Sequence, residues 1–244
     1  MSAPKLEVCI DDIAGLQACV AGGADRIELC SALDLGGLTP SYGFMQAAAS
    51  VEVPVRAMIR PRPGDFSYTA QEVEAMCQDI GVARQMGLDG VVFGASAGGG
   101  TLDLPTLQQL CNAAEGMGVT LHRVVDTLDD PVAAVEAAIG LGFDTILTSG
   151  KALTAPLGQD VVAGLVQHAA GRIAIMAGSG VTQENAHQLA AHTGAPWLHA
   201  SCSGKRRNGS TIVELGFGAA EARFTDPTKI RAIKTQLAEP ATQI

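Results

Sequence analysis

The chain has 244 residues, of which 47% are hydrophobic and 17% are charged, and this composition excludes an intrinsically disordered protein. Its 16 basic and 25 acidic residues give a formal net charge of -9, which argues against a nucleic acid or an anionic membrane as the main partner. We therefore expect a folded protein whose partner is a small molecule or a metal ion.

The cysteines and the N-terminal segment indicate the compartment. The six cysteines show no CxxC pair and no metal-finger spacing, so we expect reduced thiols rather than a structural zinc site. The segment from Met1 to Lys5 lacks the basic and apolar regions of a signal peptide. No run of about 18 apolar residues, the length that crosses a bilayer, is present. These features predict a cytoplasmic protein that does not bind membranes.

Eight short apolar or β-branched runs predict strands, and amphipathic stretches separate them. The predicted strands are 6–10, 26–30, 53–60, 90–94, 119–126, 145–150, 173–178 and 197–202. Eight strand–helix units without a proline- or serine-rich linker indicate an α/β fold, one single-domain (β/α)8 TIM barrel over residues 1–244. An open Rossmann sheet is the alternative, but the turn at 11–13 lacks its glycine-rich loop.

Helix starts and one long connection complete the predicted architecture. Thr69 and Glu72 form a capping-box pattern, and Asp130 and Asp226 each precede a proline at the first helical position. The connection 203–225, between the eighth strand and the last helix, is several times longer than a usual barrel loop. A loop of this length over a barrel mouth is typical of a lid.

Ionisable residues occupy the positions of the predicted strands that face the barrel interior, since alternate side chains of a strand share a face. We expect them at the C-terminal rim, where TIM barrels build active sites. The candidate catalytic residues are Glu7, Glu28, Arg60, His122, Asp126 and His199. Buried carboxylates need partners, and Arg56, Arg60 and His122 are the expected partners of the two glutamates. A buried ion-pair network without catalytic function is the alternative interpretation.

Two glycine-rich loops predict an anion site. Phosphate sites of TIM barrels lie after the seventh and eighth strands, where backbone amides face the ligand. The candidate anion-binding residues are Ser149, Gly178, Ser179, Gly180, Ser203, Gly204, Lys205 and Arg207. Tight turns of the same composition that bind nothing are the alternative.

Cys9 and Cys30 each lie two residues beyond an inward-facing glutamate, on strands expected to be neighbours. Two converging thiolates favour Cu(I), which prefers sulfur ligands. Buried cysteines are also ordinary small core residues, so both interpretations stay open.

The chain resembles the CutC family over residues 6–233. The matching runs are LEVC at 6–9, GADRIELC at 23–30, GGLTPS at 36–41, MIRPR at 58–62, GDF at 64–66, HR at 122–123, LTSG at 147–150 and MAG at 176–178. The resemblance implies a cytoplasmic TIM barrel that forms a homo-oligomer, is linked to copper tolerance and binds Cu(I). It also implies that Cys30 is a copper ligand. The helix after Pro40 carries no cysteine here, so a second sulfur ligand must come from elsewhere, and we choose Cys9.

Two functions follow from these observations. The first is a copper homeostasis protein that binds Cu(I) through the barrel-end cysteines. The alternative is an enzyme that acts on a small anionic or sugar-like metabolite with the Glu/Arg/His residues at the C-terminal barrel face. A scaffold that works through its outer helices is a third interpretation, which nothing in the sequence favours.

Overall fold

The computed structural model describes residues 3–238 and confirms the predicted barrel. Eight parallel strands form a closed sheet in the order β1, β2, β3, β4, β7, β8, β9 and β10, which pairs again with β1. Their bounds are β1 (Lys5–Ile10), β2 (Arg26–Leu29), β3 (Val55–Met58), β4 (Gly90–Phe93), β7 (Gly118–Leu121), β8 (Thr145–Thr148), β9 (Ala174–Gly178) and β10 (Trp197–Ala200).

Helices surround this sheet and alternate with its strands. They are α1 (Ile13–Gly22), α2 (Tyr42–Ala48), α3 (Ala70–Gln85), α4 (Leu104–Ala113), α5 (Pro131–Leu141), α6 (Gln159–Ala169), α7 (Ala186–Thr193), α8 (Ser210–Glu214) and α9 (Pro227–Ala238). The capping box of Thr69 and Glu72 is present, and the side chains of Asp130 and Asp226 accept from the first backbone amides of α5 and α9. Within residues 3–238, none of the helices has the length and apolar character needed to span a bilayer.

The alternation of β1 separates the core from the barrel interior. Leu6, Val8 and Ile10 are buried in the hydrophobic layer that the strands share with the helices. Glu7 and Cys9 are also buried but take the opposite face of the strand. The apolar layer therefore positions the polar side chains inside the barrel.

Arg56 fills the N-terminal end of the barrel. Its guanidinium donates to Asp144 at 2.6 and 3.0 Å and to the Thr120 hydroxyl at 2.8 Å, and it lies 3.4 Å from Asp89. The prediction that Arg56 pairs with Glu7 or Glu28 is therefore wrong, because its long side chain reaches the opposite end of the barrel.

Two segments differ from their predicted structure. The fifth barrel strand, predicted as 119–126, ends at Leu121, because His122 accepts a hydrogen bond from the Val124 amide and begins a short 3-10 helix (Arg123–Thr127). The connection 203–225 is not a plain loop but an antiparallel hairpin of β11 (Ser203–Arg207) and β12 (Glu221–Thr225). A smaller hairpin, β5 (Ser96–Gly98) and β6 (Thr101–Leu102), follows β4 and had no sequence signal.

Candidate functional site

A cavity of about 1050 Å³ opens at the C-terminal end of the barrel strands. Its lining includes Cys9, Glu28 and His199 from neighbouring strands β1, β2 and β10. Phe217 and Phe224 line it from the connection 203–225, which therefore contributes a wall. The cavity has the position that active sites take in this fold.

A row of buried charges runs across the neighbouring strands β2, β1 and β10. Glu7 is fully buried, forms an ion pair with Arg26 through Oε2 and lies 2.9 Å from His199 Nδ1 through Oε1. Because a carboxylate accepts only, His199 Nδ1 is the donor. The other ring nitrogen, His199 Nε2, lies 3.7 Å from Glu28 Oε2. His199 therefore connects two glutamates.

The neighbours of Glu7 and His199 determine their charges. Burial opposes ionisation of Glu7, but Arg26 and His199 overcome it and lower its pKa to about 2. Burial likewise opposes the charged form of His199, yet Glu28, followed by Cys9 and Glu7, raises its pKa well above the usual value. Arg26 also lies over the Trp197 ring, 4.1 Å from its centroid. This geometry holds Arg26, Glu7 and His199 as a charged unit.

The carboxylate of Glu28 has fewer hydrogen-bond partners than that of Glu7. Burial raises its pKa, and the nearby Glu7 adds to this effect, although His199 opposes it. Its Oε2 accepts from the Cys30 thiol at 3.5 Å, while its Oε1 is buried without a hydrogen-bond partner. The pKa of Cys30 lies well above its usual value, because of burial first and then the charge of Glu28. Cys30 is thus a protonated thiol packed behind Glu28.

Three of these side chains form a cluster that could hold a metal ion. One ligand atom each of Cys9, Glu28 and His199 lies within 4.8 Å of the other two, and all three residues are buried. Cys30 is fully buried and is not a member of this cluster. The cluster therefore offers one sulfur, one oxygen and one nitrogen ligand.

Arg60 lies at the rim, where it organises loops rather than neutralising a glutamate. Its Nη1 donates to the carbonyl oxygens of Leu35 at 3.0 Å and Gly37 at 3.2 Å, and its Nη2 donates to that of Gly64 at 2.8 Å. Its guanidinium also lies 5.1 Å from the centroid of the Phe66 ring. Only Arg60 Nε is buried without a partner among its nitrogens.

His122 presents an unused donor beside Arg60. Its Nδ1 accepts from the Val124 amide at 3.2 Å, so its proton belongs on Nε2, which is buried without a partner. Burial, and then the charge of Arg60, lowers the pKa of His122 to about 3. Phe66 packs on the ring at a centroid distance of 4.7 Å. His122 is thus a neutral imidazole, and it does not pair with Glu7 or Glu28 as predicted.

Asp126 binds the neighbouring loop and belongs to the cavity lining. It accepts from the Thr148 hydroxyl at 2.6 Å, the Ser149 amide at 3.0 Å, the Lys151 amide at 3.1 Å and Arg123 Nε at 2.8 Å. These hydrogen bonds use the accepting capacity of both oxygens of its carboxylate. Asp126 therefore holds the loop after β8 in place.

The predicted anion-binding residues separate into two groups. Ser179, Gly180 and Ser203 line the cavity, whereas the other five, among the residues described, do not belong to its lining: Ser149, Gly178, Gly204, Lys205 and Arg207. The Ser179 hydroxyl already donates to the Leu153 carbonyl oxygen at 2.9 Å, and Lys205 pairs with Glu221 at 2.8 Å. The structure therefore does not gather these residues around one point.

Sequence reasoning missed Arg26 and Phe66. Arg26 precedes Glu28 by two residues on the same strand face, so the alternation contained its signal. It is Arg26 and His199, and not Arg60 or His122, that pair with Glu7. Phe66 lies in an irregular segment between β3 and α3, so no periodicity marks it, although it ends the GDF run of the family resemblance.

Known proteins are similar to this chain in sequence and fold. The family model described as CutC family matches residues 4–204. A family protein CutC of Rhizobium meliloti (strain 1021) is 52% identical over 242 residues, covering 99% of each chain. One of Agrobacterium fabrum is 50% identical, covering 95% of this chain and 93% of its own. The structure of a CutC protein from Streptococcus agalactiae, named for copper homeostasis, superposes with a TM-score of 0.78 at 30% identity, covering 81% of this chain and 98% of its own. The chain therefore belongs to the CutC family.

Proposed function

We propose that the chain is an enzyme that binds a small polar metabolite in the barrel-mouth cavity. One observation carries this proposal. Four buried side-chain atoms among the described residues lack a hydrogen-bond partner, and three of them belong to residues that line this cavity: Glu28 Oε1, Arg60 Nε and His122 Nε2. An unsatisfied buried polar atom costs about 1 to 3 kcal/mol, so three around one cavity favour a ligand that supplies the missing partners.

The chemistry of these three atoms describes the ligand. Arg60 Nε and the neutral His122 Nε2 donate, and both therefore require an acceptor oxygen. Glu28 faces the same cavity with a carboxyl group that can accept from or donate to a hydroxyl. A ligand with a carbonyl oxygen and hydroxyl groups matches this set. His122 would polarise the carbonyl, as a neutral donor at the site of developing charge.

The nearby cations favour a sugar-like metabolite over an anionic one. Arg60 uses both terminal nitrogens on backbone carbonyls, and Arg123 donates to Asp126 and Ser149. Arg223, which also lines the cavity, lies 3.9 Å from Asp34. A phosphate would have to compete with these partners, whereas hydroxyl groups need no free cation.

Ligand binding tests the proposal. Saturation-transfer NMR with a panel of monosaccharides, keto-sugars and sugar alcohols is expected to detect a ligand, and His122→Ala is expected to weaken its binding about tenfold. That loss corresponds to one hydrogen bond of about 1.4 kcal/mol. His192→Ala is the matched control, since His192 lies on α7 and is exposed. Binding that is equal in the two variants contradicts the role of His122, and no binding across the panel contradicts the function.

Copper binding is the second candidate, which the family name supports. Cu(I) prefers sulfur, and Cys9 fits such a site because it lines the cavity and belongs to the cluster with His199. Cys30 does not fit in its present orientation, since its thiol donates to Glu28 and is fully buried. The site of two cysteines stays a prediction that requires Cys30 to turn away from Glu28.

An anaerobic Cu(I) competition titration separates these possibilities. The two-cysteine site predicts that Cys9→Ala and Cys30→Ala each abolish tight binding. Loss in Cys9→Ala alone supports Cys9 with His199. Affinity that is unchanged in both variants means that copper binds elsewhere or that the chain does not act through copper.

A further inference from the structure

The cluster of Cys9, Glu28 and His199 has the composition of a zinc site. The three residues come from adjacent strands, with Cys9 opposite Glu28 in the β1–β2 register and Glu7 opposite His199 in the β1–β10 register. Their ligand atoms lie within 4.8 Å of one another. Rigid barrel strands thus hold three different donor atoms around one point before any ion binds.

Glu7 provides a second, independent feature of metal sites. Metal-ligating histidines almost always donate their other ring N–H to a carboxylate or carbonyl, which fixes the ring. Glu7 Oε1 lies 2.9 Å from His199 Nδ1, and Arg26 holds Glu7 from its other oxygen. This contact leaves His199 Nε2 as the nitrogen that faces the cluster. Its distance of 3.7 Å to Glu28 Oε2 is close to the roughly 3.4 Å between two light-atom ligands of tetrahedral zinc.

Glu28 also carries an unpartnered polar atom on its carboxylate. It is 3% exposed, and its Oε1 has no hydrogen-bond partner. The contacts within the protein leave this oxygen without a hydrogen bond, which is uncommon for a buried polar atom. A cation between Glu28, Cys9 and His199 supplies the missing interaction.

We propose that Cys9 Sγ, Glu28 and His199 Nε2 bind one Zn²⁺ ion, with Glu7 as the residue that orients His199. One sulfur, one nitrogen and one oxygen ligand match zinc, whereas Cu(I) favours sites richer in sulfur. Three protein ligands leave the fourth tetrahedral position open, and Cys9, Glu28 and His199 all line the cavity. This open position is typical of catalytic rather than structural zinc. Binding releases the Cys9 thiol proton, and any proton on Glu28 or on His199 Nε2, to solvent.

The inference goes beyond the proposed metabolite, because metal binding is measurable without one. The chelator-treated protein is titrated with Zn²⁺ against a chromophoric competitor, and with Co²⁺ as a spectroscopic substitute. We expect one ion per chain, and a near-ultraviolet thiolate-to-cobalt band together with the visible bands of tetrahedral Co²⁺.

Four variants make the test specific. Cys9→Ser and His199→Gln remove ligands, so each is expected to lower Zn²⁺ affinity more than about 100-fold, and Cys9→Ser to abolish the thiolate band. Glu7→Gln leaves the ligands in place and is expected to cost about 10- to 100-fold. Cys30→Ser removes a thiol that contacts Glu28 but lies outside the cluster, and it is expected to retain stoichiometric Zn²⁺ binding.

Three results overturn the zinc site. Absence of stoichiometric Zn²⁺ binding means that Cys9, Glu28 and His199 form a buried polar cluster that holds no zinc. Co²⁺ binding without a thiolate band excludes Cys9. Loss of binding in Cys30→Ser but not in Cys9→Ser moves the metal to the other thiol. Each leaves the metabolite proposal standing, because that proposal depends on detection of a ligand by the metal-free protein.

Discussion

Substitution of Glu7 by glutamine tests whether Arg26, Glu7 and His199 stabilise the fold as one coupled group of buried charges. Glutamine keeps the volume but replaces one accepting oxygen by an NH2 group, which faces a donor from Arg26 or His199. Arg26 is 4% exposed and would lose its carboxylate partner. Breaking a buried ion pair from one side costs about 3 to 5 kcal/mol, and the oxygen that glutamine retains favours the lower end.

The expected loss is therefore about 3 kcal/mol of unfolding free energy, or a Tm lower by about 6 to 12 °C at about 2 to 4 °C per kcal/mol. Urea unfolding followed by circular dichroism at pH 7 measures the first quantity, and calorimetry measures the second. Glu221→Gln is the matched control. Its side chain is 54% exposed and pairs with Lys205, so a loss of under about 1 kcal/mol is expected.

A double variant shows whether the loss comes from the pair itself. Once Glu7 is glutamine, the further change Arg26→Met removes the unpaired charge. The loss of unfolding free energy in the double variant is therefore expected to be smaller, by about 1 kcal/mol or more, than the sum of the losses in Glu7→Gln and Arg26→Met. A loss below about 1 kcal/mol in Glu7→Gln, or full additivity in the double variant, would refute the assignment of Glu7 and Arg26 as a coupled buried pair.

Four further predictions concern the rest of the barrel. Burial opposes ionisation of Asp144, but hydrogen bonds from Arg56 hold its pKa below the usual value. The ionised Asp144 therefore stabilises the fold fully above about pH 4, and this stabilisation is lost on acidification. Asp144→Asn is expected to reduce the drop in unfolding free energy, measured in urea, between about pH 7 and pH 3. Gly118→Ala places a Cβ 2.3 Å from Arg56 Nη2 and is expected to lower the unfolding free energy by about 1 to 3 kcal/mol. Gly140→Ala, whose Cβ would have nothing within 4 Å, is expected not to lower it. Equal losses for the two variants in urea unfolding would contradict the close approach at Gly118. Replacement of residues 204–224 by a short glycine-serine linker is expected to leave the barrel folded by circular dichroism but to weaken metabolite binding in NMR, because Phe217 and Phe224 line the cavity. Light scattering is expected to give a multiple of 24.9 kDa, as the family resemblance implies, and the mass of a single chain would contradict the homo-oligomer.

Sequence pattern predicts the barrel because its signals are local. The runs of β1 and β2 alternate apolar and polar residues, so the hydrophobic layer against the helices follows directly from the order of the residues. Helix starts such as Thr69 and Asp130 are equally local, since a cap contacts amides only two or three residues away.

The pairing inside the barrel could not be predicted in the same way. Alternation indicates which face a side chain takes but not how far along the barrel axis its charged group lies. Arg56 stands opposite Glu28 in the β2–β3 register, yet its guanidinium reaches Asp144 at the N-terminal end. Glu7 pairs instead with Arg26, its direct neighbour in the β1–β2 register. Strand register and side-chain length, which no local pattern encodes, decide these partners.

The two ends of the barrel differ in how fully their buried polar atoms are hydrogen-bonded, and this difference supports the proposed site at the C-terminal end. At the N-terminal end, the Arg56 guanidinium has Asp144, Asp89 and Thr120 as partners. At the C-terminal end, Glu28 Oε1 and His122 Nε2 are as deeply buried but lack any partner. Each such atom costs about 1 to 3 kcal/mol, a cost that an apolar residue at the same position would avoid. At one end of the barrel, the buried Arg56 guanidinium is fully hydrogen-bonded. The buried atoms without partners at the other end therefore do not result from poor packing. They mark the end of the barrel at which the proposed ion and ligand would recover part of this cost.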